Sequence, residues 1–109
     1  MLESITAPTL LLDEAICRTN IKRMAQKANA NNLAFKPHMK THQSAQIGAW
    51  LSDAGVSAIT VSSVSMALYF ANHGWKDITI AIPCNTRALS DINALAAEVQ
   101  LSLLVNSPQ

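Results

Sequence analysis

Apolar residues recur along this chain in short blocks, and each change of spacing marks a new element. Thr9-Leu10-Leu11-Leu12 is an apolar run that ends at Asp13, a residue suited to capping a helix. Cys17, Ile21, Met24 and Ala28 then fall at offsets 0, 4, 7 and 11, one stripe of a helix. Asn31-Asn32 suits a left-handed stop, and Leu33-Ala34-Phe35 reads as a strand. Ser44 is placed to cap a second helix whose stripe is Ile47, Trp50, Leu51 and Ala54, closed by Gly55. Ala58-Ile59-Thr60-Val61 is the next strand. A third helix carries Val64, Ala67, Leu68 and Ala71 and closes at Gly74. Ile78-Thr79-Ile80-Ala81-Ile82 is the clearest strand, and Pro83 ends it. Thr86 is placed to cap a fourth helix with Leu89, Ile92, Ala96 and Val99 inward, and Leu101 to Val105 is a last strand.

From Leu33 onward strand and helix alternate, with strands beginning near residues 33, 58, 78 and 101. The strands are apolar runs, which predicts parallel βαβ units with both sheet faces covered. The fold class expected is therefore α/β, with about four parallel strands alternating with helices. Ser107-Pro108 has the form of another helix start, so the alternation reads as interrupted. Four strands do not close a (β/α)8 barrel, which takes about 250 residues.

Composition narrows the function classes. Half of the 109 residues are hydrophobic and 14% are charged, which argues against disorder. A net charge of +1 gives no electrostatic reason for a nucleic-acid partner. No apolar run reaches the roughly 18 residues of a membrane span. Met1-Leu2-Glu3-Ser4 lacks the features of a signal peptide, so a cytoplasmic location is the default expectation. Cys17 and Cys84 stand 67 positions apart without a CxxC spacing and read as reduced core thiols. Trp50 and Trp75 read as packing residues.

The densest chemistry is the heptapeptide Lys36-Pro37-His38-Met39-Lys40-Thr41-His42. Pro37 disfavours helix at Lys36. An extended backbone would put Lys36, His38, Lys40 and His42 on one face, with Met39 and Thr41 on the other. Such crowding makes sense if one lysine must lose its proton or if an anion sits among the bases. Nearby cations and partial burial both disfavour an ammonium, and a neutral amine can attack a carbonyl to form a Schiff base. A solvated loop lysine is the bland alternative. His38 and His42 have a spacing seen in helical metal sites, but Pro37 argues against a helix and no third ligand is near, so no metal site is assigned. His73 falls at a helix end, where a cation suits the dipole. The serines of Ser62-Ser63-Val64-Ser65 are explained by capping as well as by anion binding at a helix start. Nucleotide-binding glycine fingerprints are absent.

Four blocks in order carry a resemblance: Ala7 to Asp13, Lys36-Pro37-His38-Met39-Lys40-Thr41-His42, Ile59 to Ser65, and Asp77 to Pro83. Together they resemble the N-terminal part of the D-threonine aldolase and D-serine dehydratase family. The basic heptapeptide is the specific block; the others add weight by order and spacing. The resemblance implies a pyridoxal-phosphate-binding (β/α)8 barrel of the alanine racemase type, of which residues 1–109 would form the first part. The rest of that barrel and a C-terminal β domain would lie outside it. An N-terminal strand matching Thr9 to Asp13 would associate with that β domain. Lys40 would hold pyridoxal 5'-phosphate as the Schiff-base lysine, with His38 and His42 lining the pocket. A divalent metal, where the family has one, would be held by ligands outside this chain. The implied reaction is a lyase reaction on a small D-hydroxy amino acid, either aldol cleavage or dehydration, in a complete protein expected to be a homo-oligomer. Racemisation on the same barrel, and a non-catalytic remnant that only carries the cofactor, are the alternatives. Lys36 stands where arginine is commoner, Met66 where glutamate often follows Val-Ser, and Asn106 where aspartate is common. A half barrel alone would leave open sheet edges, which predicts self-assembly, aggregation or a need for a second piece.

Overall fold

In a computed structural model of the chain, the structure describes residues 2–107. Helix α1 (Glu14–Ala30) and helix α2 (Ala45–Asp53) precede a run of alternating strands and helices. These are strand β1 (Ile59–Val61), helix α3 (Val64–Asn72), strand β2 (Asp77–Pro83), helix α4 (Leu89–Ala96) and strand β3 (Gln100–Leu104). The strands form one parallel sheet in the order β1-β2-β3. The expected α/β alternation with a parallel sheet is what the chain forms.

Local chemistry explains the element boundaries. Asp13 Oδ1 accepts the Ile16 N–H at 2.9 Å and starts α1. Ser44 Oγ accepts from Ile47 at 3.4 Å and Ser63 Oγ from Met66 at 3.1 Å, starting α2 and α3. Asn32 takes φ of +53° just past α1, as the Asn31-Asn32 pair predicts. Gly55 takes φ of +86° past α2, where a side chain would be strained.

Period-two burial sets the layers. Ile59, Val61, Ile78 and Ile80 are buried against Ala67, Phe70, Leu51, Trp75, Leu95 and Val99. The register pairs Thr60 with Thr79 and Thr79 with Ser102, so the opposite sheet face carries a half-buried polar row. This row is polar where the sequence led us to expect a second apolar face. Trp50 and Trp75 are both buried, in keeping with packing roles.

Several expectations need correction. Leu33 to Phe35 forms no strand; the segment stays extended and meets β1 at a single parallel bridge, His38 with Thr60. Thr9 to Asp13 is not a strand either: Leu10 is 94% exposed, and the run has no ladder partner among the described residues. In α1 the buried position is Ala25, and Met24 faces out, because the spacing 17, 21, 25, 28 also suits a helix. Asn85, not Thr86, caps the segment after β2: its Oδ1 accepts from Arg87 at 3.1 Å and opens a three-residue 3-10 turn. In α4 and the residues after it, Ile92 and Val99 are buried as expected, Leu95 joins them, and Leu89 and Ala96 are exposed. Cys17 and Cys84 are free and half-buried, outside the deep core. The helix start expected at Ser107-Pro108 reaches outside the described residues.

Candidate functional site

The site grows from the bridge at which the basic heptapeptide joins β1. The Thr60 N–H donates to the Pro37 carbonyl at 2.9 Å, and Thr60 Oγ1 donates to the Lys36 carbonyl at 3.0 Å. Thr60 therefore grips two successive carbonyls of a segment that has no longer ladder. After His38 the backbone leaves the extended state and makes a 3-10 turn over Met39–Thr41. His38 Nδ1 accepts the Lys40 N–H at 3.3 Å and opens the turn; the Gln43 N–H closes it on the Met39 carbonyl at 2.9 Å. His42 Nδ1 accepts the Ser44 N–H at 3.1 Å and leads into α2.

The single face expected for Lys36, His38, Lys40 and His42 does not form. A histidine acceptor two residues before Lys40 favours the turn over continued extension. Met39 goes inward and is wholly buried. It reaches Gly48 of α2, where an added Cβ would stand 3.3 Å from Met39 Cε and 3.3 Å from Trp75 Nε1. Lys40 goes outward, exposed, and its Nζ makes no hydrogen bond or ion pair among the described residues. Lys36 is not a free cation beside it: its Nζ donates to Asp77 Oδ1 at 2.7 Å and to Thr79 Oγ1 at 3.5 Å.

Burial holds the His38 imidazolium below the ordinary histidine range, and the Lys40 charge adds to that. Burial lowers His42 as well. Both rings thus favour the neutral form, which agrees with Nδ1 acting as an acceptor in each. The proton then sits on Nε2, leaving each ring one donor. A cleft of about 680 Å3 lies elsewhere, between α2 and residues His73 to Lys76, and includes none of Lys40, His38 and His42. His73 closes α3 with its Nδ1 2.7 Å from the Tyr69 carbonyl, a helix-end role. Thr60, Asp77 and Thr79 escape sequence reading. Their signal is a polar residue in alternate positions of apolar strands, and only the register shows that these face Lys36 and His38.

A cofactor carbonyl needs an accessible amine with no carboxylate on it, and Lys40 meets that condition. The donor set fits pyridoxal phosphate at its aldehyde end. A phosphate is not assigned to the start of α3, because Ser63 spends its hydroxyl on the Met66 N–H and lies 3.1 Å from Ser65 Oγ.

No family model matches the chain. Over 79 residues it is 35% identical to D-threo-3-hydroxyaspartate dehydratase from Delftia sp. (strain HT23), covering 72% of this chain and 21% of that protein. It is 32% identical over 80 residues to D-threonine aldolase from Arthrobacter sp., covering 73% of this chain and 21% of that enzyme. The solved Delftia dehydratase superposes with a TM-score of 0.90 at 32% identity, over 97% of this chain and 28% of its own. Its homologues are named as D-threo-3-hydroxyaspartate dehydratase, D-threonine aldolase and D-serine dehydratase. As dehydratases and aldolases, those relatives are lyases. A crystal structure of an alanine racemase-like protein from Idiomarina loihiensis aligns with a TM-score of 0.83 at 25% identity, over 97% of this chain and 29% of that one. The parallel sheet with outer helices is consistent with part of a (β/α)8 barrel. The chain spans about a fifth of the length of the curated relatives it matches.

Proposed function

We propose that residues 1–109 supply the cofactor-holding first part of a pyridoxal-phosphate-dependent lyase acting on small D-hydroxy amino acids. The observation that carries this reading is Lys40: an exposed side chain with no ion-pair partner among the described residues, on a turn pinned from below by buried Met39. The turn lies just beyond the bridge to β1, at the C-terminal end of the sheet, where α/β folds bind ligands. Lys40 Nζ would hold the cofactor through a Schiff base, exchange with the substrate amine, and, once free, accept a proton at Nζ. His38 and His42 would present neutral Nε2–H donors to an anionic group of the cofactor. Bound pyridoxal phosphate would supply an electron sink for charge developing at the substrate Cα. The phosphate cradle, the remaining strands and any metal ligands would come from chain beyond these residues, and the complete protein would be a homo-oligomer. The likeness to an alanine racemase-like protein favours racemisation as the second reading.

Borohydride trapping tests the assignment. The chain is mixed with pyridoxal phosphate, reduced and digested, and the modified lysine is located by mass spectrometry. Selective label on Lys40, lost in Lys40→Ala, is the expected result. Label spread evenly over Lys22, Lys27, Lys36, Lys40 and Lys76 would overturn the assignment for this chain. In the complete protein, glycine and an aldehyde from D-threonine would mark an aldolase, a keto acid and ammonia a dehydratase, and the L-stereoisomer a racemase.

A further inference from the structure

The segment that carries Lys40 has one bridge to the sheet, yet it is held from two strands. Thr60 of β1 takes the carbonyls of Lys36 and Pro37. Lys36 then reaches past β1 altogether, because Asp77 belongs to β2 and β1 lies beside β2 in the sheet order. Its Nζ meets Asp77 Oδ1 at 2.7 Å and Thr79 Oγ1 at 3.5 Å. Lys36 lies two residues before His38, Asp77 two before Thr79, and Ala58 two before Thr60. His38, Thr60 and Thr79 are in register across the sheet. The period-two pleat therefore puts Lys36, Ala58 and Asp77 in one row on the polar face. Ala58 is 7% exposed and stands apart from the helix-facing core, as a residue beneath a bridging side chain should. A methyl group at the middle of the row leaves the space that the lysine stem needs to cross.

We propose that Lys36 and Asp77, joined over Ala58, are positioning residues that fix the register and tilt of the turn bearing Lys40. The inference rests on the reading of Lys40 as the cofactor lysine for its functional meaning, and its geometry stands without that reading. A short side chain at residue 36 could not span the middle strand, and a large one at 58 would block the crossing. Both partners are partly shielded, with side chains 30% and 28% exposed, so the pair is less screened than a fully exposed one. Removing either end frees the segment to slide against its single bridge.

Hydrogen exchange of the whole chain, read by mass spectrometry, tests the proposal. Lys36→Met and Asp77→Asn should each speed exchange of the amides at residues 39–43 roughly fivefold and leave those of α3 unchanged. Ala58→Leu should do the same. Lys36→Arg, and the exchanged pair Lys36→Asp with Asp77→Lys, should keep near wild-type protection, which a purely packing role would not produce. Unchanged exchange in both single variants would overturn the proposal. So would failure of the exchanged pair to restore protection, or loss of the α3 amides in Lys36→Met as well as in Asp77→Asn. The share of pyridoxal-phosphate label on Lys40 should fall in Lys36→Met and persist in Lys36→Arg. If wild type shows no selective label, the cofactor reading fails, and the exchange data still judge the positioning role.

Discussion

Met39→Ala is the perturbation that most directly tests how the Lys40 turn is anchored. The Met39 side chain is 0% exposed and ends 3.3 Å from where a Cβ on Gly48 would lie, a point that Trp75 and Phe70 also approach, at 3.3 and 3.6 Å. Full burial of such a side chain contributes about 1.5–3 kcal/mol in transfer free energy. The cavity adds to that, giving about 2–5 kcal/mol for a buried methionine truncated to alanine. One wall here is the helix backbone at Gly48, which has no side chain to relax into the void. We therefore expect a loss of about 3–4 kcal/mol, around the middle of that range and clear of its lower end. Met39→Leu keeps the volume and should lose less than about 1.5 kcal/mol. Lys40→Ala, at the next residue but exposed and unpaired, should stay within about 0.5 kcal/mol of wild type. Urea unfolding followed by tryptophan fluorescence reads all three, since Trp50 and Trp75 are both buried in the folded chain. With a slope of about 1.5 kcal/mol per molar urea, Met39→Ala should lower the midpoint by roughly 2 M. A loss below about 1 kcal/mol, or an equal loss in Lys40→Ala, would refute the anchoring argument.

Two more outcomes are expected from the same region. Gly48→Ala gains about 0.8–1 kcal/mol of helix propensity but brings its Cβ within 3.3 Å of Met39 Cε and Trp75 Nε1. The flexible methionine end can give way, so thermal or urea unfolding should show a change within about 1 kcal/mol, whereas Gly48→Leu should destabilise by more than about 2 kcal/mol. For pH, His38 and His42 both titrate below the ordinary value of 6.5 in the folded chain. Between that value and the lowered ones, the unfolded chain binds more protons than the folded one. Stability should be fully present above pH of about 6.5 and fall as acid is added through the lowered values. Unfolding midpoints from about pH 5 to 8 check this, and a profile that is flat, or that matches a His38→Gln/His42→Gln variant, would contradict it.

The positions of α1, α2 and α3 follow from the sequence because their signals are local. Asp13, Ser44 and Ser63 cap by reaching their own chain three residues on, and Asn32 and Gly55 stop helices by their own backbone preference. Lys40 and its histidines are legible as a cluster of residue types, and β1, β2 and β3 as apolar runs. The features that the sequence leaves open depend on partners far along the chain. Leu33 to Phe35 has strand composition, but a strand exists only through a neighbour's hydrogen bonds, and here β1 offers one bridge. Thr9 to Asp13 has the same composition and no partner among the described residues. The start of α4 turns on a 3-10 turn, capped by Asn85, that competes with the helical repeat. The division of labour in the heptapeptide is likewise tertiary: Gly48 admits Met39, Asp77 draws Lys36 across β1, and Lys40 is left as the free amine. Local backbone preference is encoded within a few residues, whereas burial and ion pairing are settled only by the groups that pack opposite.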